Sequence, residues 1–173
     1  MDLAEDGPVK IHQLLSTLVN DATALSDGRH RITLTLEGPA QVRANSMELQ
    51  TAVRNLLTNA VRYTPEGGEI EVNWSQHGNE GLISVRDSGI GIGAEHLPRL
   101  TERFYRVDRS RSRDSGGTGL GLAIVKHALQ RHQASLEISS RLGAGSTFTI
   151  RWPASRMIKE ATSPPQAQTQ ENN

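Results

Sequence analysis

Two asparagines four residues apart, Asn55 and Asn59, stand in a stretch whose apolar residues repeat at helical spacing. A four-residue step puts two side chains on one helix face. Arg62 falls on the same stripe and Tyr63 beside it. An amide oxygen suits a hard cation such as magnesium, which takes oxygen ligands and is usually shared with phosphates. A guanidinium suits phosphate, and a phenol ring offers a base a surface to stack on. The same residues also read as an ordinary solvated helix face.

Three glycine-rich segments and one arginine run add to this. Asp87-Ser88-Gly89-Ile90-Gly91-Ile92-Gly93 follows an apolar strand pattern. An Asp at a strand end can accept a hydrogen bond from an exocyclic amine, and glycines let backbone approach a ligand closely. Gly89, Gly91 and Ala94 also match the spacing of a dinucleotide fingerprint, but that motif opens a helix in a parallel βαβ unit. Here it follows a hairpin pattern. Gly116-Gly117-Thr118-Gly119-Leu120-Gly121-Leu122 runs into a helical pattern, where free amides make an anion site; the plainer reading is a hinge. Arg103, Arg106, Arg109, Arg111 and Arg113 surround Phe104 and Tyr105. They read as γ-phosphate ligands, as a charge run offset by Asp108 and Asp114, or as a nucleic-acid patch. Gly143-Ala144-Gly145-Ser146-Thr147 precedes the final strand and by itself is a turn.

Composition narrows the choice. The 173 residues carry 19 basic and 19 acidic side chains, a balance that disfavours a general nucleic-acid or membrane-surface binder. The absence of Cys excludes disulfides and thiolate zinc sites. None of the six His pairs with another at ligand-like spacing, and no nucleophile motif or G-K-[ST] phosphate loop occurs. No apolar run approaches membrane-span length.

The elements that must position these residues follow from periodicity. Residues 1–8 read as a linker. A helix is predicted over about 9–25, strands at 31–36 and 41–43, and a second helix over 47–63 with Ser46 as N-cap. Strands at 69–76 and 81–87 flank a hairpin-like turn. A short helix is predicted near 94–103 and a mobile loop over 105–118. A third helix is predicted over 119–132, then strands at 135–140 and 146–152. The segment 154–173 reads as a disordered tail. Strands outnumber helices and most join by short turns. That predicts an α+β two-layer sandwich, a mixed, mostly antiparallel sheet covered on one face by three helices.

In this order the blocks resemble the GHKL (Bergerat-fold) ATPases and histidine kinases. Asn55-Leu56-Leu57-Thr58-Asn59-Ala60 resembles their N box and Asp87 to Ile92 their G1 box. Glu102-Arg103-Phe104-Tyr105-Arg106-Val107-Asp108 resembles the F-box region. Gly117 to Val125 resembles the G2 box, and Gly143 to Phe148 closes the set. Within the histidine kinases, Phe104–Asp108 and Gly117–Lys126 are most similar to the phosphate-regulon sensor subfamily.

The resemblance implies ATP and Mg2+ as cofactors and a protein-histidine kinase of a two-component system. Asp87 would read the adenine amino group and Tyr63 pack on the base, with Gly89, Gly91, Ile92 and Thr147 around it. Asn59 would hold magnesium. Asn55 and Arg106 would act at the reacting end, with Arg62 where the family usually has Lys. Gly117, Thr118, Gly119, Leu120, Gly121 and Leu122 would line the phosphates, and 105–118 would be the ATP lid. Thr101 stands where the family usually carries Phe, and Gln133-Ala134 replaces a usual Gly-Gly. No His is followed by an acidic residue as the family's acceptor is. The implied partners are therefore the kinase's own dimerisation and phosphotransfer domain, outside this sequence, and a response-regulator receiver domain. Neither nucleic acid nor direct membrane contact by this domain is expected, and a homodimer only in the full-length kinase. The implied location is a cytoplasmic domain of an inner-membrane-anchored protein. A non-catalytic nucleotide-binding switch and a GHKL ATPase fragment are the alternatives. Glu48, seven residues before Asn55, is the one feature that tempts the ATPase reading.

Overall fold

Seven apolar residues of one helix set the frame. In the computed structural model, which describes residues 6–105 and 121–158, helix α2 (Ser46–Tyr63) buries Leu49, Ala52, Val53, Leu56, Leu57, Ala60 and Val61. This is the stripe its spacing predicts. Its N-cap is Asn45, whose Oδ1 accepts the Glu48 amide at 3.0 Å, and Ser46 is already the first helical residue. An Asn cap does the same work as a Ser cap, so the correction is one of register.

Helices α1 (Ile11–Ser26) and α3 (Gly121–Arg131) flank α2. Helix α1 begins at Ile11 rather than near 9, because Val9 and Lys10 belong to a strand. It ends at Asp27, whose left-handed φ of 53° turns the chain. The three helices share one core with the inner face of a five-stranded sheet. Its strands are β2 (Arg31–Leu36), β4 (Glu69–His77), β5 (Glu80–Asp87), β6 (Ser135–Arg141) and β7 (Gly145–Trp152), in the order β2-β4-β5-β7-β6. Only β2 and β4 pair in parallel; the other three ladders are antiparallel. A parallel pair needs a long crossover, and here the crossover carries α2. Ile70, Val72, Trp74, Ile83, Val85, Phe148, Ile150 and Trp152 face the helices and are buried. The alternate residues face outward, and Glu71, Glu80, Arg86, Glu137 and Arg151 among them form ion pairs. The α+β sandwich with three helices on one face is thus as predicted.

One strand was not legible. Residues 6–8, read as linker, belong to β1 (Asp6–Lys10), which pairs antiparallel with β3 (Gln41–Asn45) in a separate two-stranded sheet. The start of the segment read as a disordered tail is also ordered. Ala154–Arg156 form a 3-10 turn and Met157 bridges Val42 of β3. Arg156 holds the corner together: its guanidinium reaches Asp6 at 3.2 Å, and its Nε donates to the His132 carbonyl at 3.0 Å. The helix expected near 94–103 is a 3-10 turn over Ala94–Arg99 with Pro98 inside it, as suits a segment that cannot continue an α ladder. The lid segment beyond Tyr105 lies outside the described residues, as do positions 119–120 of the third helix. Among the described residues, no helix is long and apolar enough to cross a membrane.

Candidate functional site

Strand β5 delivers Asp87 to the end of the sheet nearest the C-terminus of α2. The side chain is buried, with 8% of its surface exposed. Its Oδ1 accepts two backbone donors, the Gly89 amide at 2.9 Å and the Ser146 amide at 3.2 Å. Burial pushes its pKa up, and these two hydrogen bonds pull against that shift. The carboxylate is therefore pre-aimed at a desolvated place, where one well-matched donor counts for most.

The glycines around it have steric reasons. A Cβ on Gly89 would lie 2.5 Å from the Tyr63 carbonyl oxygen and 2.9 Å from Asp87 Oδ1. Gly91 has φ +74°, and a Cβ there would lie 2.0 Å from the Arg141 carbonyl oxygen. The loop is also laced to the β6–β7 turn: the Gly143 amide donates to the Ile90 carbonyl at 2.7 Å. The Ile92 amide donates to Ser140 Oγ at 2.8 Å. Both loops are fixed before any ligand arrives.

Helix α2 carries the other half of the site. Tyr63 and Arg62 close its last turn, half-buried. Asn59 stands one turn back from Tyr63, and Asn55 one turn further. Asn55 Nδ2 donates to the Thr51 carbonyl at 2.8 Å, which points Oδ1 outward. That oxygen sits 3.0 Å from where a Cβ on Gly121 would be, so the first turn of α3 packs closely against it. The eight steps from Asn55 to Tyr63 span about 12 Å of helix, comparable to the length of a purine nucleoside triphosphate. Among the described residues no cluster of three acidic, His or Cys side chains is placed to hold a metal. An Asn oxygen sharing magnesium with phosphates fits that donor set better than a protein-only cage.

Some expected members are placed differently. Thr147 is on the outer face of β7, opposite Arg86 and Ser139, and does not share the pocket. Strand alternation puts its neighbour there instead: Ser146, 7% exposed, lies on the inner face and its Oγ bonds Ser140 Oγ at 2.7 Å. Counting back by two from Phe148 would have found it. The Ile92 and Leu122 side chains pack against the core, and the Ile92 amide is already committed. Glu48 is engaged elsewhere, with Oε2 2.7 Å from Arg131 Nε and Oε1 3.8 Å from His132 Nδ1. Arg106, Gly117, Thr118, Gly119 and Leu120 lie outside the described residues. Thr64, next to Tyr63 and not singled out in the sequence, is 4% exposed and its Oγ1 has no hydrogen-bond partner among the described residues.

Comparison with known proteins gives the family. Residues 44–156 match the family described as histidine kinase-, DNA gyrase B- and HSP90-like ATPases. The chain is 51% identical over 156 residues to the phosphate regulon sensor protein PhoR of Pseudomonas aeruginosa, covering 90% of this chain and 35% of that protein. It is 40% identical to the sensor-like histidine kinase SenX3 of Mycolicibacterium smegmatis, over 84% of this chain and 38% of that one. The chain thus spans about a third of the length of these curated relatives. Among solved structures, a mycobacterial sensor histidine kinase, MprB, matches with a TM-score of 0.73 at 25% identity, over 85% of this chain and 97% of that one. Full-length ShkA in complex with AMPPNP matches at 0.77 and 25% identity, over 90% of this chain and 32% of that one. With its two asparagines on one helix and its buried aspartate held by loop amides, the chain belongs to the histidine kinase-, gyrase B- and HSP90-like ATPase family and is an ATP-binding domain of the kind found in sensor histidine kinases.

Proposed function

We propose that this domain is the nucleotide half of a sensor histidine kinase: it holds ATP–Mg2+ and presents the γ-phosphoryl group to a histidine on a separate dimerisation domain. The observation that carries the reading is the pairing of sites along α2. A backbone-held, buried Asp87 stands at one end, and Asn55 against the start of α3 stands at the other. In this reading Asp87 accepts the adenine amino hydrogen, Tyr63 packs on the base and Gly89 leaves it room. Arg62 faces the phosphates, Asn59 gives its amide oxygen to the magnesium, and Gly121 opens the helix whose first amides meet the phosphate chain. Bound magnesium would neutralise phosphate charge as the terminal group leaves. The likeness to a histidine kinase that binds AMPPNP supports nucleotide as the ligand.

Catalysis on this side is positioning and charge stabilisation, as in other phosphoryl transfers. The imidazole nitrogen of the acceptor attacks phosphorus, the bond to the β-phosphate oxygen breaks and ADP departs. The phosphoryl group then moves to an Asp of a response regulator. The setting is the cytoplasmic side of a membrane-anchored sensor of the phosphate-regulon type. The domain alone binds nucleotide and turns over little. Mixing it with a separately produced acceptor domain of its own kinase and radiolabelled ATP yields labelled phosphohistidine. Tight ATP binding with no phosphohistidine would leave the non-catalytic switch instead. The engagement of Glu48 with Arg131, away from Asn55, disfavours the free-standing ATPase.

A further inference from the structure

Thr64 closes α2 and starts the turn to β4. Its side chain is buried, with 4% of its surface exposed, and among the described residues its hydroxyl has no hydrogen-bond partner. An unpaired buried hydroxyl costs roughly 1–3 kcal/mol of lost solvation, so a fold keeps one only where something compensates. Nothing about the backbone needs an oxygen here, because the Thr64 carbonyl is already satisfied by His30 Nε2 at 2.6 Å. The rotamer is set by packing. The methyl Cγ2 points at Gly68, where a Cβ would approach it to 2.3 Å, and Oγ1 points the other way.

The direction of Oγ1 is informative. It lies 3.1 Å from the point a Cβ on Gly89 would occupy, and Asp87 Oδ1 lies 2.9 Å from that same point. The hydroxyl and the carboxylate thus both flank Gly89, on the side where its missing Cβ would stand. The Gly89 amide cannot serve a ligand there, since it is spent on Asp87. Adenine presents an amine donor and a ring-nitrogen acceptor side by side on one edge. A carboxylate satisfies the first only. The second needs a donor, and Thr64 carries a buried hydroxyl close to Asp87 with no partner among the described residues.

We propose that Thr64 is a base-reading residue of the nucleotide site, its hydroxyl donating to the adenine ring nitrogen next to the amine that Asp87 accepts. This rests on the reading of Asp87 as the adenine contact. The test is titration calorimetry of the whole domain with ATP and with 1-deaza-ATP, in which that ring nitrogen is a CH. Thr64→Val keeps the shape and removes the hydroxyl; Thr64→Ser keeps the hydroxyl. Thr64→Val should bind ATP about five- to tenfold more weakly, as for one neutral hydrogen bond, and Thr64→Ser should restore most of this. The wild type should discriminate against 1-deaza-ATP by a similar factor, and Thr64→Val should not discriminate at all. Without nucleotide, Thr64→Val should melt no lower than wild type, because an unpaired polar group has gone.

Unchanged ATP affinity in Thr64→Val overturns the proposal. So does an equal loss for both nucleotides, or a marked fall in the melting point of the free protein, since each marks a structural hydroxyl. If Asp87→Asn loses ATP while Thr64→Val does not, the site stands and only this inference falls. If Asp87→Asn also binds normally, the adenine reading itself fails.

Discussion

Strands β5 and β7 carry polar clusters on both of their faces, and the two behave oppositely. On the inner face, Asp87 is buried and meets two backbone amides and, among the described residues, no cation. On the outer face, Arg151 meets two carboxylates, Glu137 and Glu80, both at 2.9 Å. The pairing holds Glu137 below the usual carboxylate range and raises Arg151 further. By partner count the outer cluster is the richer. Yet its side chains are about 37–54% exposed, so water and salt screen them. The inner carboxylate is under-partnered and desolvated, and an incoming donor finds a group that water no longer serves. Desolvation with vacancy marks a site more reliably than a dense set of ion pairs.

Five substitutions test this contrast. The largest effect belongs to Gly91→Ala. Its φ is +74° and the new Cβ would meet a backbone oxygen at 2.0 Å. Strain and overpacking together should cost on the order of 3 kcal/mol, read as a drop in denaturant midpoint. A normal midpoint would mean that the G1 loop is not braced by the β6–β7 turn.

Next comes Asp87→Asn, which should weaken ATP binding by about 1–3 kcal/mol, measured by calorimetry. It also carries a pH signature. Burial raises the Asp87 pKa, so the folded protein holds this proton more tightly than the unfolded chain. Stability from this group therefore falls as pH rises from the unfolded value through the raised folded one, and the full penalty is present above it. Nucleotide-free Asp87→Asn should accordingly be at least as stable as wild type at neutral pH, and lose that advantage as pH falls into the ordinary carboxylate range. Melting curves across pH decide it.

Neighbouring residues on β7 give a finer comparison. Ser146→Ala removes the hydroxyl bonded to Ser140 and should cost roughly 1 kcal/mol of stability, with weaker nucleotide binding. Thr147→Ala, on the outer face, should leave binding unchanged. Equal effects would erase the distinction between the faces. The smallest effect is expected for Arg151→Gln: a slight fall in melting temperature at low salt that disappears in high salt, with unchanged ATP affinity.

Much of this was legible because local pattern and tertiary demand agree. The α2 stripe from Leu49 to Val61 is buried residue for residue, and Ile70, Val72 and Trp74 alternate as written. What was not legible depends on distant partners. Asp6-Gly7-Pro8-Val9-Lys10 has no strand signature and becomes β1 only because β3 lies beside it. The parallel pairing of β2 with β4 is likewise set by the crossover, not by either strand. Within the candidate site, Asp87 and Asn55 stand out in the sequence by type and position. The inward register of Ser146 and the burial of Thr64 do not, the first because it turns on one residue of register, the second because Thr is common in turns.

The corner held by Arg156 has a practical side. Asp6 and Arg156 are 3.2 Å apart at their side chains, and Met157 bridges the strand that pairs with residues 6–10. Residues 6 and 157 therefore lie close together, on the corner formed by β1 and β3. Such a body can be spliced into a surface loop of a host protein with little stretching of either. It can equally be recut, joining 158 to 6 through a short linker and opening the hairpin at His77–Glu80, with its core and its pocket intact.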